Sequence, residues 1–307
     1  MRNLNREQRV GVLNTILASF FLGWAPILGK LAYADGVTPY TLVTFRTAMA
    51  ALFLWVIFVI FRRREIGISW RSLLGCIGVG AVNGFGSLLY YTSLSRLDAS
   101  RASLLNTLYP LWTVLFLFAA GQPLTRLTLA RLALSMLGIY LLTRAGPGEL
   151  DWMGVMLMVA SAALYGWHLV LGQWVLADVP SRTAALYILT TMACVVGVAR
   201  ISQARPVEPI IVGGWYAIAA LGLTTALSRL AMFSALERLG GIETSLAGLL
   251  ELLVSLMLAF LLLGERLTPI QWLGGGLLVV SLVLMARDPG MHLAAGNEPL
   301  EWQRKGE

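Results

Sequence analysis

This chain has little charge. Asp, Glu, Lys and Arg make up 13% of its 307 residues, about half of the roughly 25% typical of soluble domains. That leaves too little polar surface to cover a water-soluble globule. Cysteine and histidine are also scarce, with two of each. Cys76 and Cys194 both sit inside apolar runs without metal-ligand spacing, which argues against a disulfide framework or a cysteine-held metal. There is no Walker A loop, so ATP drive within the chain is not expected. Nucleophile, base and metal ligands do not cluster, so the chain is not read as an enzyme and no cofactor or metal is assigned. No segment is long and polar enough for a separate soluble domain. The net charge of +7 forms no stripe of its own. Its basic residues flank apolar runs, which points to a lipid bilayer and away from nucleic acid.

What the chain has is apolar length. Hydrophobic residues are 58% of it, and its mean hydropathy is +0.76. One helical crossing takes about 20 apolar residues. The pattern predicts ten spans, near 10–33, 39–61, 71–94, 99–119, 127–144, 152–176, 183–201, 211–236, 242–263 and 269–286. The stretch from Val10 to Leu31 follows Arg2, Arg6 and Arg9, but it is too long for a signal-peptide core and is read as an uncleaved first span. The segment after Arg287 has no apolar periodicity. Of the 23 basic residues, 14 fall on the side of the N-terminus and 7 on the other. The excess of basic residues in cytoplasmic loops then places both termini in the cytoplasm.

The chain also repeats itself. Shifted by 143 residues, Phe21-Leu22-Gly23-Trp24 falls on Leu164-Tyr165-Gly166-Trp167, and Ala34-Asp35 falls on Ala177-Asp178. At the same shift, Gly121-Gln122-Pro123-Leu124-Thr125 meets Gly264-Glu265-Arg266-Leu267-Thr268. Two units follow, 10–145 and 146–286, between a cytoplasmic N-terminus (1–9) and a cytoplasmic tail (287–307). Five spans per unit is an odd number, so the second unit enters from the opposite side. The expected fold is all-α and membrane-integral, with ten transmembrane helices in two inverted five-helix repeats. Inverted halves place a substrate site near the midplane and expose it alternately to each side. A receptor or scaffold has no need of them.

The run Leu262-Leu263-Gly264-Glu265-Arg266-Leu267-Thr268 resembles a motif of the drug/metabolite transporter superfamily, specifically the EamA-type exporters such as the YddG-type amino-acid exporters. Arg46-Thr47-Ala48, Tyr109-Pro110 and Glu251 add to the likeness, which covers about 10–286. The chain departs from the pattern twice. Gly121-Gln122-Pro123 lacks the glutamate, and Leu252 stands where many relatives have proline. The resemblance implies export of a small-molecule substrate, above all amino acids, across a bacterial-type inner membrane. Export of drugs or of another metabolite, such as a nucleotide sugar, is the alternative. A lipid-handling enzyme or scaffold is a distant third.

Charges inside a bilayer cost at least ~2.5–3.5 kcal/mol on insertion scales and need a reason. Glu251 is placed to carry a proton or meet a substrate amine. Arg46 pairs with it or with a carboxylate, or is a structural or gating residue. Arg229 is suited to holding a carboxylate through its planar fork, unless it reaches water at an interface. His168 titrates in a range that suits proton coupling, though a packing role competes. Asn83, Ser87 and Tyr90 share one face of the third span, as Asn106 and Tyr109 share one of the fourth. Such faces line a cavity or bond neighbouring helices. Trp24 and Trp167, related by the repeat, are candidate aromatic walls against plain packing. Pro26 and Pro110 lack a backbone donor and bend spans one and four, as hinges or as static kinks. Gly80-x-x-x-Gly84 is a close-packing surface. Protons are a candidate coupling ion, and no oligomeric state is assigned.

Overall fold

A computed structural model describes residues 6–119, 151–204, 206–239 and 248–285, with scattered positions between 130 and 141. Most of the predicted fifth span (127–144), the turn at Gly121-Gln122-Pro123, the start of the predicted ninth span, the first five residues and the tail lie outside the described residues. Among the described residues all regular structure is helical: α1 (Arg6–Gly23), α2 (Ala25–Ala34), α3 (Pro39–Phe61), α4 (Trp70–Leu94), α5 (Ala99–Asn106), α6 (Tyr109–Ala119), α7 (Trp152–Val175), α8 (Ser181–Ile201), α9 (Val212–Leu239), α10 (Gly248–Leu263) and α11 (Pro269–Met285).

Local chemistry sets the boundaries. Pro39 opens α3, where its missing N–H is no loss. The Ser69 hydroxyl caps α4 by accepting from the Ser72 N–H at 3.1 Å, and the Asp151 carboxylate caps α7 by accepting from the Gly154 N–H at 2.9 Å. The Gly154 N–H and the Arg96 guanidinium together hold the Asp151 carboxyl below its ordinary range.

Two predicted spans are interrupted. The first breaks at Trp24, with Pro26 in the opening turn of α2. The fourth breaks at Thr107 and Leu108, with Pro110 in the opening turn of α6. Both prolines therefore sit where a missing donor is tolerated, just past a break in the helix.

Among the described residues six helical stretches are long and apolar enough to cross a membrane: Arg9–Ala34, Pro39–Phe61, Trp70–Leu94, Trp152–Val175, Ser181–Ser202 and Val212–Arg238. Two shorter apolar helices run through Leu250–Leu263 and Pro269–Val280. Large apolar side chains point outward. Leu52, Val198, Leu253 and Leu261 are 65%, 66%, 61% and 64% exposed. Arg46, Asn83, His168 and Arg229 are meanwhile buried. Polar groups inside and apolar groups outside is the arrangement that suits lipid as the solvent.

α4 lies against α7 and α8, and α1 lies against α9. The α4–α8 contact depends on Gly80. A Cβ there would stand 2.6 Å from the Ile188 carbonyl oxygen and 2.6 Å from the Thr191 Cβ. The Gly80-x-x-x-Gly84 surface is thus used within the chain, with Val195 opposite Gly84. Gly80→Leu is expected to cost at least about 1–3 kcal/mol by overpacking. A lowered thermal midpoint in detergent checks it, and an unchanged midpoint refutes this packing role.

Carboxylates from late in the chain tie the ends of earlier helices. Glu265 accepts from the N–H groups of Ala99 and Ser100, at 2.8 Å each, at the start of α5. Glu208 accepts from the Thr38 N–H at 2.7 Å and the Thr41 hydroxyl at 3.1 Å, at the start of α3. Partial burial raises the Glu208 carboxyl, but these hydrogen bonds outweigh it and hold the group below its ordinary value. Arg96, just past α4, pairs with Asp151 at 3.0 Å.

Candidate functional site

The polar face of α4 is the floor of the site. Asn83, Ser87 and Tyr90 recur at helical spacing, and all three line one cavity. Across from them, α3 brings Arg46, α5 brings Asn106, α9 brings Arg229 and α10 brings Glu251. The empty space among these groups, counting its open mouth, is about 640 Å³.

Arg46 is 5% exposed. Its Nη1 donates to the Thr225 hydroxyl at 2.9 Å, its Nη2 donates to the Ser87 hydroxyl, and its guanidinium lies 4.4 Å from the centre of the Tyr91 ring. Arg229 is 7% exposed. Its Nη2 donates to Asn83 Oδ1 at 3.3 Å, its Nη1 lies 3.5 Å from His168 Nε2, and it stands 5.5 Å from the Tyr165 ring centre. The Nε of each arginine is buried without a hydrogen-bond partner. Among the described residues neither is in an ion pair, so the Arg46–Glu251 pairing is not formed here. Glu251 instead accepts from the Asn106 amide at 3.5 Å. It also borders a smaller space, shared with Tyr109 and Tyr165.

The remaining candidates sit elsewhere. His168 is fully buried behind Arg229, with Nδ1 3.4 Å from the Val79 carbonyl, and does not line the main cavity. Trp24 is half-buried at the α1–α2 break and packs on apolar core residues. Trp167 is 43% exposed and faces outward, with its ring 5.9 Å from that of Phe116. The two tryptophans therefore do not form opposing cavity walls. Their places are taken by Phe21, Tyr90, Tyr91 and Tyr165. Pro26 and Pro110 are buried at their helix starts and do not line the cavity.

Sequence reasoning missed Ser161, Tyr165, Thr224, Thr225 and Ser228 as lining residues. A signal for them exists. Ser161, Tyr165 and His168 lie at i, i+4 and i+7 on α7, and Thr225 lies one turn before Arg229 on α9, so both polar faces are readable by the spacing that revealed the α4 face.

Among the described residues the cavity combines two guanidiniums, one carboxylate, hydroxyls, amides and aromatic rings. That set recognises a small polar ligand with an apolar part. Among the described residues no group of three or more His, Cys, Asp or Glu side chains is placed to hold a metal.

Comparison with known proteins settles the class. The profile of the EamA-like transporter family matches residues 9–144 and again 152–287. The chain belongs to the EamA-like transporter family. Among curated proteins it is similar to YcbK of Bacillus subtilis (strain 168), described as an uncharacterized transporter. The two are 24% identical over 288 residues, which is 88% of this chain and 91% of that one. Among solved structures, one crystal structure aligns with a TM-score of 0.65 at 18% identity, over 92% of this chain and 98% of the other. That likeness bears on the fold alone. This EamA-like chain is a multi-pass membrane transporter, and Arg46 and Arg229 lie on helices long and apolar enough to cross a membrane.

Proposed function

We propose that this EamA-like transporter exports small amphipathic metabolites, above all amino acids, by alternating access between two inverted five-helix halves. In this reading ten helices span a bacterial-type inner membrane, with both termini in the cytoplasm. The observation that carries the substrate class is the presence of opposite charges around one cavity. Arg229 has an Nε without a partner, and Glu251 borders the same space. An amino-acid carboxylate fits the first, and its ammonium group fits the second. Phe21, Tyr90 and Tyr165 offer apolar and aromatic surface to a side chain. The breaks beside Pro26 and Pro110 are candidate hinges for gating, because a few residues at element ends can absorb a large backbone change.

Proteoliposome counterflow tests this directly. Exchange of at least one labelled amino acid is expected, and no exchange across a full panel would remove the substrate claim. Glu251 is also the candidate proton carrier, since among the described residues it is the one acidic side chain bordering the cavity. Glu251→Gln is expected to slow transport about tenfold or more and to flatten its pH dependence. Unaltered pH dependence in that variant refutes coupling at Glu251.

A further inference from the structure

A zwitterion with one carboxylate occupies Arg229 and leaves Arg46 without a ligand. Arg46 is equally buried, lines the same cavity and has the same unpartnered Nε. We propose that the cavity binds a substrate carrying two carboxylates, one at each guanidinium. This deepens the transporter reading above and rests on it.

The two arginines come from different helices, but both are anchored on α4. Arg46 donates to Ser87 and Arg229 donates to Asn83. These anchors are one helical turn apart on the same face, at about 5–6 Å between Cβ positions. Two cations are thus held side by side, and among the described residues only neutral groups bond them. Like charges in a partly desolvated space repel, and a buried charge is costly unless it is paired. Glu251, when ionised, offsets one of the two positive charges. A ligand of net charge −1 offsets the other.

An acidic amino acid meets this balance in full. Its two carboxylates and one ammonium sum to −1, which with Arg46, Arg229 and ionised Glu251 gives zero. The ammonium then faces Glu251, beside Asn106. A dicarboxylate without an amine carries −2, and it balances the site only if Glu251 takes up a proton. A neutral amino acid leaves one guanidinium unmatched. The shared chemistry is the pair of carboxylates, and the two sources differ in their demand on Glu251.

The test uses the purified full-length protein and measures binding by calorimetry across pH. The panel is L-aspartate, L-glutamate, succinate, L-leucine and L-phenylalanine. Aspartate or glutamate is expected to bind about tenfold or more tightly than leucine and phenylalanine, the difference of one charge-assisted contact. Succinate, if it binds, is expected to favour lower pH, whereas the acidic amino acids are not. Arg46→Gln is expected to erase the advantage of the two-carboxylate ligands over the neutral amino acids. Arg46→Lys, which keeps the charge but loses the planar fork, is expected to fall between. Equal or tighter binding of leucine or phenylalanine overturns the inference and leaves amino-acid export standing. So does an Arg46→Gln effect that is uniform across the panel. Succinate binding with no amino acid bound overturns amino-acid export and leaves the two-carboxylate site standing. The panel on the unaltered protein decides the matter even where a variant fails to fold.

Discussion

Replacing Arg229 with methionine is expected to abolish transport and leave the protein folded. The two halves of that result have separate causes. Arg229 makes no ion pair among the described residues, and its polar neighbours are Asn83 at 3.3 Å and His168 at 3.5 Å. Such long contacts to neutral groups offset little of the cost of burying a guanidinium. Exchanging buried ionic groups for apolar side chains of similar size is often neutral or stabilising where no oppositely charged partner is left unpaired. The thermal midpoint in detergent is therefore expected to hold or rise. Binding behaves in the opposite way. Removing one partner of a buried charge pair costs about 2–5 kcal/mol, which is about 30-fold to several-thousand-fold in affinity. Arg229→Met is expected to lose at least that in carboxylate binding and in counterflow, and Arg229→Lys is expected to recover part of it. A collapse of the thermal midpoint would instead give Arg229 a structural role. Retained affinity would show that the carboxylate is held elsewhere.

Much of this architecture was legible in the sequence, because lipid imposes a simple rule on it. A crossing helix is a long apolar run between polar or glycine-rich breaks. The ends of α3, α4, α7, α8 and α9 accordingly fall within a few residues of the predicted spans. The interruption at Thr107 and Leu108 lies two to three residues before the proline that signalled it, because Pro110 is accommodated in a first turn and not in a helix interior. The α4 cavity face was readable from Asn83, Ser87 and Tyr90, since polar residues at helical spacing are conspicuous in an apolar background. The tryptophans were not readable in the same way. Repetition marks them as equivalent, but Trp24 packs at a break in the chain while Trp167 faces outward. Sequence periodicity gives a residue's position around its own helix, and the neighbouring helix decides what that position meets. The anchoring of Arg46 and Arg229 on a common face of α4 depends on three helices at once, and no local pattern carries it.

The same limit explains Glu265, whose loss is expected to destabilise the protein more than any single substitution on the cavity wall. The run from Gly264 to Thr268 carries the strongest family likeness in the sequence, and each of three residues in it has a separate mechanical task. Gly264 turns the chain after α10 at φ +67°, a conformation glycine adopts without strain. Thr268 starts α11 in a reciprocal cap. Its N–H donates to Gln271 Oε1 at 2.9 Å, and its hydroxyl accepts from the Gln271 N–H at 3.3 Å. Glu265 reaches across to the start of α5 and accepts two backbone N–H bonds of 2.8 Å there. A carboxylate at a helix N-terminus also meets the positive end of the helix dipole. Glu265→Ala leaves both N–H groups without their acceptor and is expected to cost about 2–4 kcal/mol. For a chain of this size that is about 3–6 °C in thermal midpoint. Glu265→Gln keeps one acceptor oxygen but no charge, and is expected to fall between the two. Ligand affinity measured on the folded fraction should not change, because Glu265 does not border the cavity. A changed affinity at constant midpoint would refute the capping role and place Glu265 in the transport cycle itself. The paired outcome separates a motif kept for assembly of the helices from one kept for contact with the substrate.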